Sequence, residues 1–276
     1  MDPGFRRGDV RVRRGDLSCE CPGPAPAGVT YSTSVRTPAA VFWGLVEPNR
    51  FVPWGPDHLA ALALTATASV GLSAVARRAP EGRAGRAVRF GLAGALLSGV
   101  AAHVLAAAWG GTLSLWDLAP LHLCDLAIFV AVVAILTRRQ LAFELLYFWA
   151  CAGTLLAMIT PDVWYAFPNW GCILFFGLHG AVVVTALTLT AGFGMRPRAG
   201  ASWRVFLITL AYAALVGLVN LALGTNYMYL REKPLTPTLL DAFGPWPGYL
   251  IVAAGVGLAL FLFLELPFRF GRPQRR

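Results

Sequence analysis

Seven apolar runs, at about residues 58–76, 89–109, 120–137, 141–160, 172–192, 203–223 and 247–267, leave this chain little room to fold in water. A helix that crosses a bilayer needs roughly 20 apolar residues. Each run is close to that length, and the connections between them are short. Composition points the same way. Only 13% of the 276 residues are charged, against about 25% in soluble domains, and the mean hydropathy is +0.62. So few charges cannot cover a globular core, and 12% aromatic residues argue against a disordered chain. The expected fold is an all-α polytopic membrane protein of seven transmembrane helices, occupying residues 41–270. A basic tail at 271–276 follows it.

The net charge is +9. In a soluble protein that excess would suggest nucleic acid. Here the basic residues stand between apolar runs, where they set orientation. Arg77, Arg78, Arg83, Arg86 and Arg89 follow run one. Arg138 and Arg139 follow run three, and Arg196, Arg198 and Arg204 follow run five. Arg269, Arg272, Arg275 and Arg276 follow run seven. The alternate connections hold only Arg231 and Lys233. The rule that basic loops stay in the cytoplasm then puts the C-terminus inside and the start of run one outside.

Residues 1–40 are rich in Arg, Gly, Pro and Ser with no helical or strand period, and read as disordered. The opening Met1–Asp9 resembles translated intergenic sequence, which places the start near Val29 or Val35. Residues 41–56, with Phe42, Trp43, Phe51 and Trp54, read as an interfacial lead-in.

With this orientation, all four histidines fall in the outer half of the bilayer: His58, His103, His122 and His179. The ends of spanning helices are naturally polar, which accounts for Asp57, His58 and His103. His179 is harder to explain so, because seven positions into a helix is roughly 10 Å deep. An ionisable group at that depth usually faces the bundle interior and has a partner. Of the five cysteines, Cys19 and Cys21 lie in the polar tail. Cys151 reads as a small apolar filler, and Cys172 stands at the exposed entrance of run five. Cys124 differs by its neighbours, in Leu-His-Leu-Cys-Asp-Leu. Along a helix His122 and Asp125 are about 60° apart, whereas Cys124 is about 160° from His122. A base for this thiol must therefore come from another helix, and His179 enters from the same side to a similar depth. An imidazole beside a thiol makes the thiolate nucleophile that acyl chemistry needs.

Pro-Leu-His-Leu-Cys-Asp-Leu at 120–126 and Phe-Glu-Leu-Leu-Tyr-Phe-Trp at 143–149 resemble the YwaF-like integral membrane proteins. So do Thr-Pro-Asp at 160–162, the histidine of Leu-His-Gly at 178–180 and Gly-Thr-Asn-Tyr-Met-Tyr-Leu-Arg-Glu-Lys-Pro at 224–234. That bacterial family is related to transmembrane protein 164 of animals, and the resemblance covers roughly residues 50–267. It implies the plasma (inner) membrane of a bacterium, and phospholipid acyl transfer through a cysteine and a histidine. By position these are Cys124 and His179. The cysteine departs from the animal context, being His-Leu-Cys-Asp in place of Asn-Pro-Cys.

The leading expectation is thus a lipid acyltransferase or lipid hydrolase acting on a membrane phospholipid or acyl lipid. Cys124 attacks an ester carbonyl and His179 carries the proton. His122 or Asp125 orients His179, or organises the entrance of run three. Asn220, Asn226 and the Tyr227 hydroxyl are candidate oxyanion donors, or else ordinary interhelical hydrogen bonds and a helix end at Gly224. No cofactor is expected, and no metal, since four histidines on four helices have no ligand spacing. The competing readings are a small-molecule transporter and a non-enzymatic membrane subunit that use the same polar cluster for binding. A retinal protein is excluded, because run seven lacks a lysine.

Overall fold

The computed structural model describes residues 50–109, 119–161, 163, 166–234 and 239–269. The tail at 1–40, the basic tail at 271–276 and Asp162 lie outside the described residues. Every regular element among them is helical: α1 Pro56–Arg78, α2 Arg83–Trp109, α3 Leu123–Thr137, α4 Gln140–Ile159, α5 Trp170–Gly192, α6 Ala201–Leu223 and α7 Gly248–Arg269. Two short 3-10 turns, Tyr227–Tyr229 and Leu239–Phe243, lie between α6 and α7.

The helix ends follow local chemistry. Pro56 opens α1, where its missing N–H costs nothing, and Asp57 lies in the first turn beside the positive end of the helix dipole. Asn169 caps α5 by accepting a hydrogen bond from the Gly171 N–H at 2.9 Å. Gly200 and Gly224 bound α6 with φ of 72° and 69°, a backbone region that glycine enters without a Cβ clash. Both α4 and α5 contain a wider π-helical turn, at Trp149–Thr154 and Thr188–Gly192.

Six of the helices are long and apolar enough to cross a membrane. The exception is α3, which has 15 residues and spans about 22 Å at 1.5 Å per residue, short of the ~30 Å hydrocarbon core. Its apolar run begins at residue 120, but the chain turns helical only after His122, the N-cap.

Burial divides the bundle. In α4 and α5 56% and 61% of the apolar window is enclosed by protein, against 17–22% in α1, α2, α6 and α7. The central pair is therefore α4 and α5. Phe143, Leu146, Phe148 and Trp149 of the first and Val182, Ala186 and Leu189 of the second form the core. The outer helices turn large side chains such as Leu64, Phe90, Leu207, Leu221 and Phe263 outward, as lipid-facing surfaces do.

Small residues set the closest approach. Thr65, Ser69, Ser73 and Ala76 recur at helical spacing along α1, and Gly180 and Gly192 of α5 meet them. A Cβ on Gly180 would lie 2.8 Å from Thr65 Oγ1. One on Gly192 would lie 2.9 Å from Ala76 Cβ and 3.1 Å from Ser73 Cα. Lipid tails are as apolar as leucine, so membrane helices associate through such close packing.

The arginine-rich end is bound by two buried carboxylates. Glu144 of α4 accepts from the Arg198 backbone N–H at 3.0 Å and from its guanidinium at 2.8 and 2.9 Å, and Gln140 adds 3.1 Å. Arg204 approaches at 3.7 Å. Glu265 of α7 accepts from the N–H groups of Gly200 and Ser202, each at 2.9 Å, and from Arg269. It thereby caps the N-terminus of α6, where a negative charge is favourable. On the surface Arg138 pairs with Glu81 and holds its carboxyl below the usual carboxylate range.

Candidate functional site

At the opposite end, α2, α3 and α5 line an open cavity of about 320 Å³. Val100, Val104, Ile128, Phe129, Leu174, Phe175 and Leu178 give it apolar walls, and three ionisable side chains face it: His103 from α2, Asp125 from α3 and His179 from α5. Carboxyl and imidazole groups are expensive to hold among apolar side chains and mark functional positions within membrane segments. Apolar walls with a few converging polar groups are also the ordinary form of a small-molecule site.

His179 is fixed by its own helix. Its Nδ1 lies 2.8 Å from the Phe175 carbonyl oxygen, and its ring stacks on that of Phe175 with centroids 4.2 Å apart. A carbonyl can only accept, so Nδ1 carries the proton and Nε2 is the basic nitrogen. A backbone carbonyl thus does the orienting expected of His122 or Asp125. The same logic assigns His58 a structural part. Its Nδ1 accepts from the Trp54 N–H at 2.9 Å, and its Nε2–H donates to the Met158 carbonyl at 2.7 Å. His58 is fully buried and pins α1 to α4, so helix-end polarity does not describe it.

Cys124 is a half-buried free thiol one residue before Asp125. It lies outside the cavity lining that includes Asp125 and His179. Cys151 is half-buried, and Cys172 is only 5% exposed. Simple exposure does not hold for Cys172, because its side chain faces the protein while its neighbours, Gly171 and Ile173, are exposed.

The remaining candidates belong to one turn. Asn220 is completely buried. Its amide donates to the Tyr227 carbonyl at 2.9 Å, and its oxygen accepts from Tyr227 N–H at 2.8 Å and from Thr225 Oγ1 at 2.9 Å. Asn226 donates to the Glu232 carbonyl at 2.9 Å and accepts from the N–H groups of Arg231 and Glu232. These bonds are those of the architectural alternative for both asparagines. The buried Tyr227 and its neighbour Tyr229 lie against the His122 ring, with centroids 5.4 and 5.9 Å away. His122 Nδ1 accepts from the Met228 N–H at 3.3 Å. The turn therefore covers the start of α3. Met228 and Tyr229 hold φ of 58° and 53°, a region uncommon for residues with side chains.

His103 is the cavity residue that sequence reading assigned to helix-end polarity. One signal was available: it lies at the same bilayer level as His179 and Asp125. Its neighbours around the cavity come from two other helices, and that juxtaposition is tertiary. Among the described residues no group of three or more His, Cys, Asp or Glu side chains is arranged to hold a metal ion.

A many-spanned helical membrane protein with an ionisable cavity between three helices is the class that this architecture defines. The chain belongs to the TMEM164 family, whose family model matches residues 53–265. It is also similar to an uncharacterized protein of Treponema pallidum (strain Nichols), with 32% identity over 155 residues. That match covers 54% of this chain and 62% of the relative, so the chain spans less than two thirds of the relative's length. No solved structure matches.

Proposed function

We propose that this chain is a membrane-embedded acyltransferase or lipid hydrolase acting on a phospholipid or another acyl lipid, and that Cys124 and His179 carry the chemistry. The observation supporting this reading most directly is the fixed tautomer of His179, which leaves a basic Nε2 on a cavity with apolar walls. In the proposed reaction Nε2 takes the Cys124 thiol proton, and the sulfur bonds to the ester carbonyl carbon. The tetrahedral oxyanion collapses and expels the alkoxide, which takes the proton back from His179. The acyl thioester then passes its acyl group to an acceptor hydroxyl or to water.

One observation favours the alternative, a transporter or non-enzymatic subunit. Asp125, His103 and His179 share the cavity, while Cys124 is outside its lining. Two measurements separate the readings. Lipid profiles of cells lacking the chain should be restored by the wild type and not by Cys124→Ser or His179→Ala. In isolated membranes a lipid-like electrophile should label Cys124 and spare Cys151 and the buried Cys172, and His179→Ala should suppress that labelling. Restoration by Cys124→Ser with equal labelling in both backgrounds would leave the cavity a binding site without thiol chemistry.

The proposed setting is a transmembrane domain at 41–270 in the plasma membrane of a bacterium, within the YwaF-like group. It has seven spans, with the start of α1 outside and the C-terminus in the cytoplasm. The short α3 serves as a span if Pro120–His122 complete its crossing in extended form.

A further inference from the structure

His103 stands on the ionisable cavity without a structural duty. It projects from α2 six residues before that helix ends at Trp109, roughly 9 Å from the end at 1.5 Å per residue. That is deeper than a polar helix end requires, and an imidazole at such a level is costly to keep. Among the described residues, none makes a hydrogen bond or ion pair with the His103 ring or with the Asp125 carboxyl. Asp125 does lie within electrostatic reach of two imidazoles, His122 and His103. His122 is bound into the turn after α6, through the Met228 N–H at 3.3 Å and the rings of Tyr227 and Tyr229. Of the two, only His103 lines the cavity, beside Asp125 and His179.

Acyl transfer through a thiol has two halves, acyl uptake and acyl release, and each moves a proton. The cavity holds two imidazoles with different attachments. His179 is fixed by the Phe175 carbonyl, whereas both nitrogens of His103 are open to a ligand. Cys124 and Asp125 share the first turn of α3, so a hydroxyl held by Asp125 and His103 lies beside the turn that would carry a thioester. Phe129 and His103 line the cavity and are also exposed, which opens it to the surroundings of the bundle. Its remaining walls, such as Val100, Ile128 and Leu174, are apolar. An alcohol attached to hydrocarbon fits such a site better than a water-soluble one.

We propose that His103, supported by Asp125, is the base for the second half of the reaction, and that the acceptor is a lipid alcohol seated in this cavity, a role that rests on the Cys124–His179 chemistry proposed above. The acceptor hydroxyl gives its proton to the neutral His103 ring, and its oxygen bonds to the thioester carbonyl carbon. The tetrahedral oxyanion collapses, the carbon–sulfur bond breaks, and the proton on His103 returns to the departing Cys124 sulfur. An ester and a free thiol result, with both rings in their starting forms. Asp125 is a positioning residue that stabilises the imidazolium between the two transfers.

The test uses the full chain in nanodiscs of bacterial phospholipids with isotope-labelled acyl chains, with lysophospholipids made from the same lipids as acceptors. Mass spectrometry follows the acyl group onto Cys124 and into the acceptor. His103→Asn should form the thioester at the wild-type rate and release it about 100-fold more slowly, the lower end of what a general base contributes. Asp125→Asn should slow release by about tenfold with formation unchanged. His179→Ala should form no thioester. Hydroxylamine, which cleaves thioesters without a base, should strip the acyl group from wild type and His103→Asn alike. A thioester resistant to it would make the defect one of access and overturn the role. Release at the wild-type rate in His103→Asn would overturn the role of His103 and leave the thioester standing. Failure of both His103→Asn and His103→Gln to acylate would overturn it too, by assigning His103 to the first half or to the fold. Release equally fast without lysophospholipid would make water the acceptor and overturn the lipid alcohol. A wild-type Cys124 that never carries the acyl group would overturn the Cys124–His179 chemistry itself.

Discussion

Asn220 makes three hydrogen bonds from one buried side chain, and they close the loop leaving α6 onto the turn at 225–227. A buried amide so placed is hard to replace. Alanine would leave the Tyr227 N–H and carbonyl without these partners, and each stranded group costs about 1–3 kcal/mol. Asn220→Ala is expected to destabilise the protein by about 2–4 kcal/mol, read as a lower midpoint in thermal unfolding of the detergent-solubilised chain. The effect should appear with lipid chemistry uncoupled from it. A variant of unchanged stability would show that the turn is held by its other contacts, such as Trp246 Nε1–H to the Leu230 carbonyl at 3.1 Å and the Tyr249 hydroxyl to the Tyr229 carbonyl.

The α1–α5 seam makes a strict demand on side-chain size. Gly192→Leu puts a branched side chain where even a Cβ meets Ala76 at 2.9 Å, and overpacking of this kind typically costs about 1–3 kcal/mol or more. Gly91→Leu on α2, with nothing within 4 Å of its Cβ, should stay within about 0.5 kcal/mol of wild type. Paired unfolding curves in one detergent give the comparison. The elements were legible because the hydrocarbon core imposes a length. The run at 203–223 became Ala201–Leu223, and that at 141–160 became Gln140–Ile159. The run at 89–109 began six residues too late, since Arg83 and Arg86 are helical yet count against an apolar window. The π-helical turns carry no such signature. The pins His58–Met158, Glu144–Arg198 and Glu265–Gly200 join residues 54 to 100 positions apart, and a single chain of letters does not say which helices become neighbours. The importance of His179 could be read from its depth in a run. Its orientation by Phe175 is local to α5 and turns on a side-chain rotamer, whereas the presence of His103 on the same cavity needed the packed helices.

Orientation belongs to the molecule as a whole, because it is set by the sum of its loops. The basic residues gather after α1, α3, α5 and α7, and a reporter fused after Arg276 should be active only in the cytoplasm. Periplasmic activity would invert the assignment and put the His179 cavity in the inner leaflet. With either orientation, the ionisable cavity lies at the start of α5, at the end of the bundle opposite Glu144 and Glu265.

The glycine contacts of α5 also bear on how anything reaches the His179 cavity. Where Gly180 and Gly192 meet α1, the two helices form a seam without slack, and parting them would break close contact along several turns. A hydrocarbon tail diffusing in the bilayer would find that flank shut. The cavity's walls are α2, α3 and α5, and Leu97 and Leu105 of α2 are exposed beside it. An approach to the cavity from the surrounding lipid is therefore expected on the side of α2 and α3, away from the close-packed α1–α5 pair.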